Sequence, residues 1–450
     1  MGELFGTDGV RGVANMEPMT AETALRIGRA AAHVCRRHQA RHRIVIGKDT
    51  RVSGYMIETA LTAGICSMGV DVLLVGPMPT PGIAFITHSM RADAGMVISA
   101  SHNPYQDNGI KIFSRDGFKL PDAIESEIES LVTTERIRDV RPTAAEIGKA
   151  TRIDDALGRY IVFCKNTFPD TLTLEGLKLV LDCANGATYK VAPIIFSELG
   201  AEVITLFDRP NGMNINDRCG ALYPERLMEA VVRTGADAGL AFDGDGDRLV
   251  AVDEKGQCLT GDHLLVICAR ALKERGRLCN NLVVATPMSN FGFHEALRRL
   301  DIRAACSDVG DRYVLNLMRE QGAVLGGEQS GHIIFLDRHT TGDGLISALA
   351  LLSILIESGQ PLSDLAGVMQ QAPQRLINVD VARKPPLDTV PALQAAIREA
   401  ESALGRAGRV LVRYSGTQAI CRVMVEGYDA AQTDRLAEVL AGVVRRELGG

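Results

Sequence analysis

The pattern that most restricts how this chain of 450 residues can fold is a plan of short apolar strand, polar glycine-bearing loop and helix that returns three times. Part of it repeats letter for letter. Ala-Asp-Ala-Gly at 92–95 runs into Met96-Val97-Ile98, and Ala-Asp-Ala-Gly at 236–239 runs into Leu240-Ala241-Phe242. A third segment, Gly322-Ala323-Val324-Leu325, leads into another glycine-rich polar loop. Short apolar runs bounded by turn residues read as buried strands. Strands alternating with helical stretches build a sheet covered by helices, so three related α/β domains are expected. A polar loop follows each strand, and in open α/β sheets ligands bind at that end of the strands.

Along the chain the same reading places strands at 43–47, 70–75, 178–182, 200–206 and 282–285. Helices fall at 20–37, with Thr20 as cap, and at 55–68, 190–199 and 291–300. The proline-rich run at 77–82, PMPTPG, suits neither element. After about residue 367 the pattern changes to strands at 376–381, 409–412 and 421–425 with helices near 390–404 and 429–448. That is a smaller α+β domain, in which 383–387 reads as a surface turn. The expected domains are 1–148, 149–252, 253–368 and 369–450.

A net charge of -6 argues against a nucleic-acid partner. The 10 cysteines are scattered with no C-x-x-C pair, which fits a reducing compartment. No basic-then-apolar leader and no run of 18 apolar residues is present, so a cytoplasmic protein without a membrane partner is expected.

Chemistry concentrates in the loops. The first repeated strand ends in Ser99-Ala-Ser101-His102-Asn-Pro104, and Lys111 follows in the next apolar run. The G-x-S-x-G elbow of hydrolases is missing, so a hydrolytic triad is not the natural reading of Ser101. In the second loop Asp243, Asp245 and Asp247 alternate with glycines and precede Arg248. Three carboxylates so spaced converge on one hard cation. A calcium loop of the EF-hand kind is a rival, with Glu254 at its twelfth place, but Arg248 stands where that loop needs glycine. Mg²⁺ prefers few carboxylates plus a phosphate oxygen, which points back to a phosphorylated Ser101. The third loop, GGEQSGH, carries Glu328, Ser330 and His332, polar groups suited to sugar hydroxyls. In the last domain Arg413-Tyr-Ser415-Gly416-Thr417, with Arg422 beyond, forms a phosphate cradle. The run KDTRVSG at 48–54 offers two cations and two hydroxyls that could hold an anion. FGTDGVRG at 5–12, with Arg11, offers a glycine-rich backbone that can approach a ligand closely.

Together FGTDGVRG, KDTRVSG, ISASHNPYQDNGIKIF, DGDGDR, GGEQSGH and RYSGT resemble, in order and over the whole chain, the α-D-phosphohexomutase superfamily, most closely its phosphoglucosamine mutase branch. The resemblance implies four domains arranged as a heart around a central cleft. It implies interconversion of glucosamine 6-phosphate and glucosamine 1-phosphate for UDP-N-acetylglucosamine and peptidoglycan precursors. Phosphomannomutase/phosphoglucomutase is the alternative. Ser101 would be the phosphoserine and would bind Mg²⁺ with Asp243, Asp245 and Asp247. His102, Lys111, Arg11 and His332 would be the acid/base candidates. Glu328 and Ser330 would hold sugar hydroxyls, Arg248 would touch the phosphoryl group, and Arg413, Ser415, Gly416 and Thr417, helped by Arg422, would hold the substrate's non-transferring phosphate. A hexose or hexosamine 1,6-bisphosphate would be intermediate and activator. Relatives of this kind are often homodimers. The family usually continues RYSGT with an acid and a proline, where this chain has Gln418 and Ala419.

Overall fold

The repeated plan folds into three sheets that share one order of four strands. In the first, Asp107–Ser114, Ala94–Ile98, Arg43–Lys48 and Asp71–Pro77 lie side by side in that order. The second repeats it with Leu249–Asp253, Ala238–Phe242, Lys178–Asp182 and Glu202–Leu206, the third with Ile333–Phe335, Leu325–Gly327, Leu282–Ala285 and Arg303–Cys306. In each, the strand after the repeat has one parallel and one antiparallel neighbour. These strands are buried along their whole length, as apolar strands covered on both faces should be. The loops carrying Ser101, the three aspartates and Glu328 are therefore equivalent hairpin connections. This description, a computed structural model, covers residues 4–6, 8–35, 42–134, 136–415 and 419–449.

All three sheets belong to one compact unit, Met1–Met288 with Ile302–Val368. The second unit is Ser289–Asp301 with Met369–Gly450. Its antiparallel sheet runs Gln374–Asp380, Ile420–Gly427, Gly408–Tyr414, backed by helices Pro391–Leu404 and Ala430–Leu448. Val423, Val425, Leu393, Leu440 and Val444 fill its core.

Two expectations change. The proline-rich run is taken up at both ends by regular elements, with only Met78 and Pro79 between them. The strand Asp71–Pro77 reaches its first proline, and a helix, Thr80–Ser89, carries Pro81 in its first turn. Proline is tolerated there because the first N–H groups of a helix have no intrahelical partner. Sheet pairing also crosses two expected boundaries. Ala150–Arg152 adds a parallel strand to the first sheet, and Cys258–Leu259 an antiparallel one to the second. The first of these is exposed and lacks apolar alternation, so pattern alone cannot mark it. The first helix is described over Ala21–Cys35, its expected end near 37 lying outside the described residues, and the Thr20 hydroxyl accepts from Thr23 N at 3.2 Å as its cap. No helix among the described residues is long and apolar enough to cross a membrane.

The core contains a histidine with a fixed proton. His339 Nδ1 accepts from Thr340 N at 2.7 Å, which leaves Nε2, 2.9 Å from Pro81 O, as the N–H donor. Burial pushes its pKa down to about 4. The unfolded chain takes up this proton near pH 6.5 and the folded chain does not, so stability is lost as pH falls between those values. The full span is worth about 3 kcal/mol. Melting curves from pH 7 to 4.5 should fall less steeply for His339→Gln than for the parent chain, and parallel curves would contradict this.

Candidate active site

The first loop holds its serine in an unusual backbone state. Ser101 has φ of +51°, in the left-handed region, and its residue is only 2% exposed. Its Oγ donates to Asp243 Oδ2 at 2.7 Å and lies 3.2 Å from His102 Nδ1. Burial, then the cations Arg248 and Arg11, push the His102 pKa down to about 4.

The second loop brings Asp243, Asp245 and Asp247 together, with one oxygen of each within 4.8 Å of the others. All three are buried. Burial, then the charges of Asp247 and Asp245, raise the Asp243 carboxyl well above the usual range. One oxygen each of Asp245 and Asp247, Oδ1, is buried with no hydrogen-bond partner. Converging buried carboxylates with unused lone pairs fit a hard divalent cation. Glycine is required at the turn: a Cβ on Gly244 would sit 2.6 Å from Ser101 O. The EF-hand alternative fails on geometry. A strand precedes the loop, and Glu254 is engaged elsewhere, accepting from Ser363 N at 3.1 Å and from its hydroxyl.

Around the triad lies a chain of alternating charges. Lys111 Nζ donates to Asp245 Oδ2 at 2.9 Å and lies 3.2 Å from Asp8 and 3.6 Å from Asp247. Asp8 also pairs with Arg11 and Lys119, and Lys119 with Asp311. Burial opposes the Lys111 charge, but Asp245, Asp8 and Asp247 outweigh it and hold the ammonium charged. Burial likewise opposes charge on Asp247, and Lys111 with His332 more than offsets it, so that carboxyl stays ionised far below the usual range.

The third loop closes the site. His332 Nδ1 is 3.6 Å from Asp247 and Nε2 3.7 Å from Asp311. Against the cost of burial, these acids and Glu328 raise its pKa to about 9. The close approach of Gly342, where a Cβ would meet the ring at 2.4 Å, makes room for the imidazole. Arg248 and His332 are bridged through their backbones, and Glu328 Oε1 accepts from Gly310 N at 3.1 Å. Ser330 is exposed. A cavity of about 630 Å³ opens here, lined by Asp8, Arg11, Ser101, His102, Asp247, Arg248, Gly310, Asp311, Glu328 and His332, with Leu4, Phe5, Gly6, Gly9 and Val309.

In the second unit Arg413 and Arg422 stand directly opposite each other on adjacent strands. Burial and Arg422 lower the Arg413 pKa. Like charges placed so are unfavourable by themselves, and an anion relieves them. Ser415 is buried, and its carbonyl accepts from Lys384 Nζ at 2.9 Å. Lys384 thus sits at the loop, within the run expected to be only a surface turn. Gly416 and Thr417, and Gln418 with them, lie outside the described residues.

One expected anion loop is something else. In the run at 48–54, Lys48 is buried and paired with Glu58, and Arg51 is fully buried with its donors turned inward. Neither is offered to a ligand. Conversely Asp8, Lys119, Asp311 and Thr80 belong to the site although no motif of the sequence marks them for it. Thr80 Oγ1 donates to Asp245 Oδ2 at 2.6 Å, and its N to Asp245 O at 2.8 Å. The signal for Thr80 was there: a threonine held between prolines at a strand end.

Four domain families match consecutive stretches of the chain. They are described as phosphoglucomutase/phosphomannomutase alpha/beta/alpha domain I over residues 2–139, domain II over 159–256, domain III over 260–372 and C-terminal domain over 376–443. A phosphoglucosamine mutase of Syntrophus aciditrophicus (strain SB) is 60% identical over 449 residues, 100% of each chain. A solved phosphoglucomutase/phosphomannomutase family protein from Burkholderia thailandensis superposes with a TM-score of 0.81 at 27% identity, over 99% of this chain and 97% of that one. An Aspergillus fumigatus N-acetylphosphoglucosamine mutase, solved in complex with GlcNAc-6P and magnesium, shares the fold with a TM-score of 0.67 at 18% identity, over 99% of this chain and 96% of its own.

Proposed function

The chain belongs to the phosphoglucomutase/phosphomannomutase family, and from that premise we propose that it interconverts glucosamine 6-phosphate and glucosamine 1-phosphate through a phosphoserine at Ser101. The observation that supports this most is the Ser101 hydroxyl, 2.7 Å from Asp243 inside a cluster of three buried carboxylates. The amino-sugar substrate is the one acted on by the relative at 60% identity, as its name states.

Asp243, Asp245 and Asp247, with a phosphoryl oxygen on Ser101, would hold Mg²⁺. When bound, the ion offsets phosphoryl charge and leaves phosphorus more open to attack. In the first transfer the bond from phosphorus to Ser101 Oγ breaks and a bond to the sugar 1-oxygen forms. The 1-hydroxyl gives its proton to a base, and Oγ, as leaving group, ends protonated. The resulting 1,6-bisphosphate turns over, and its 6-phosphoryl returns to Ser101 by the reverse of the same exchange. No proton is gained or lost over the cycle. His102, beside Oγ, and His332, on the cavity wall, are the groups to move those protons, while Arg11 on the cavity wall and the charged Lys111 beside Asp245 steady the phosphoryl oxygens. Glu328 and Ser330 take sugar hydroxyls, Arg248 the transferring group. Arg413, Ser415, Gly416 and Thr417, helped by Arg422, take the phosphate that is not being transferred. The product would supply UDP-N-acetylglucosamine synthesis in the cytoplasm.

Mg²⁺-dependent turnover by pre-phosphorylated enzyme should favour glucosamine 6-phosphate over glucose and mannose 6-phosphates. A preference for glucose or mannose would keep every catalytic role and transfer the chain to the phosphomannomutase/phosphoglucomutase reading. Turnover of none would overturn the proposal.

A further inference from the structure

We propose that Arg51, together with Asp49 and Asn216, is the positioning device that holds the Ser101 backbone fixed against the metal loop; this rests on the reading of Ser101 as phosphoryl carrier. Arg51 is 0% exposed, and its guanidinium has five N–H groups to satisfy. Nε donates to Asp49 Oδ2 at 2.7 Å. The Nη atoms donate to the carbonyls of Ser101 and Asn103, both at 2.9 Å, of Asp107 at 3.0 Å, and of Pro104. One side chain thus gathers three carbonyls of a loop that has left its sheet and has no ladder to satisfy them, and with them the carbonyl of Asp107, where the next strand begins.

The opposite end of the same residue is held as well. Ser101 N donates to Ser99 Oγ at 2.9 Å, and that hydroxyl donates to Asp49 Oδ2 at 2.7 Å. Asp49 Oδ1 accepts from Arg51 N at 2.9 Å. Both backbone groups of Ser101 are therefore fixed, which offsets the cost, about 1–2 kcal/mol, of a left-handed serine. A looser loop would relax out of that state and carry Oγ with it.

Asn216 ties the loop to the second domain. Its Nδ2 donates to Ser101 O at 2.9 Å and Asn103 O at 3.0 Å, and its own N donates to Ala184 O at 2.9 Å. Beside it, Thr50 Oγ1 donates to Asn185 O at 2.6 Å, and Val52 N to Gly212 O at 2.9 Å. The run expected to grip an anion instead joins the serine loop to the domain that carries the aspartates. Oγ gives up and regains a phosphoryl group in each cycle, so it must return each time to one place, and a displacement of about 1 Å can cost 10²-fold in rate.

The test is a split between kcat and KM. Arg51→Ala should lower kcat about 100-fold, with KM for glucosamine 6-phosphate within about twofold, because Arg51 touches no substrate group. Millimolar guanidinium chloride should restore at least part of that kcat, whereas equal sodium chloride should not. Asn216→Ala should lower kcat about tenfold, with KM unchanged and the protein still folded. If Arg51→Ala does not fold, Asn216→Ala decides the matter. Unchanged kcat in an Asn216→Ala protein whose parent is active would overturn the positioning role alone, as would a KM that rises in step with the loss of kcat. A parent inactive on every hexose phosphate would overturn the reading of Ser101 and this role with it.

Discussion

Ser101→Ala should abolish mutase turnover, by at least about four orders of magnitude, the scale of loss met when a nucleophile is deleted. The size follows from chemistry with no second carrier. No other described hydroxyl lies at the end of an equivalent strand within hydrogen-bond reach of the triad, save Thr80, whose Oγ1 is committed to Asp245. The fold should survive. The φ of Ser101 is as costly for alanine as for serine, and the backbone bonds that hold it, from Arg51, Asn216 and Ser99, do not use the hydroxyl. Added 1,6-bisphosphate should not rescue the variant, because a bisphosphate can recharge only an enzyme that has an acceptor oxygen. Activity of the purified variant near that of the parent, measured after removal of any contaminating mutase, would end the phosphoserine account.

Removing the metal, or the carboxylate that most needs it, should have the second largest effect. Chelation should bring turnover to background and Mg²⁺ should restore it, while Asp243→Asn should lose about 10³-fold and gain little from Mg²⁺. A second readout separates charge from general damage. The Asp243 carboxyl is held above its usual range by burial and by its two acidic neighbours, so its ionisation destabilises the metal-free fold at neutral pH. The amide can keep both contacts, accepting from Arg248 N through Oδ1 and donating to Ser101 Oγ through Nδ2. In chelator, therefore, Asp243→Asn should melt higher than the parent. In Mg²⁺ the order should reverse, since binding to the folded state alone stabilises it. A variant that melts lower than the parent in chelator would contradict the like-charge account of the site.

What the sequence made legible was what is local in the chain. Ser101 and the three aspartates stand at the ends of short apolar strands, and the order of strands in the three sheets repeats as the literal Ala-Asp-Ala-Gly repeat suggests. What stayed hidden depends on partners far along the chain. Lys119 joins Asp8 and Asp311, which lie 111 and 192 positions away, and Asn216 reaches Ser101 across 115. No periodicity carries such pairs. Arg51 was misread for a related reason. An arginine after a strand looks free for an anion until its four carbonyl acceptors are seen. The prolines of 77–82 misled through propensity, because a proline in the first helical turn costs nothing there. Arg413 and Arg422 could be named separately, but only the ladder register sets them face to face.

The central claim is that the phosphoryl group of the enzyme itself enters the sugar. Enzyme carrying radiolabelled phosphate on Ser101 can be mixed with unlabelled glucosamine 6-phosphate and quenched over a single turnover. The label should leave the protein and appear in sugar phosphate at the rate of product formation. Label that stays on the protein through many turnovers would contradict the account.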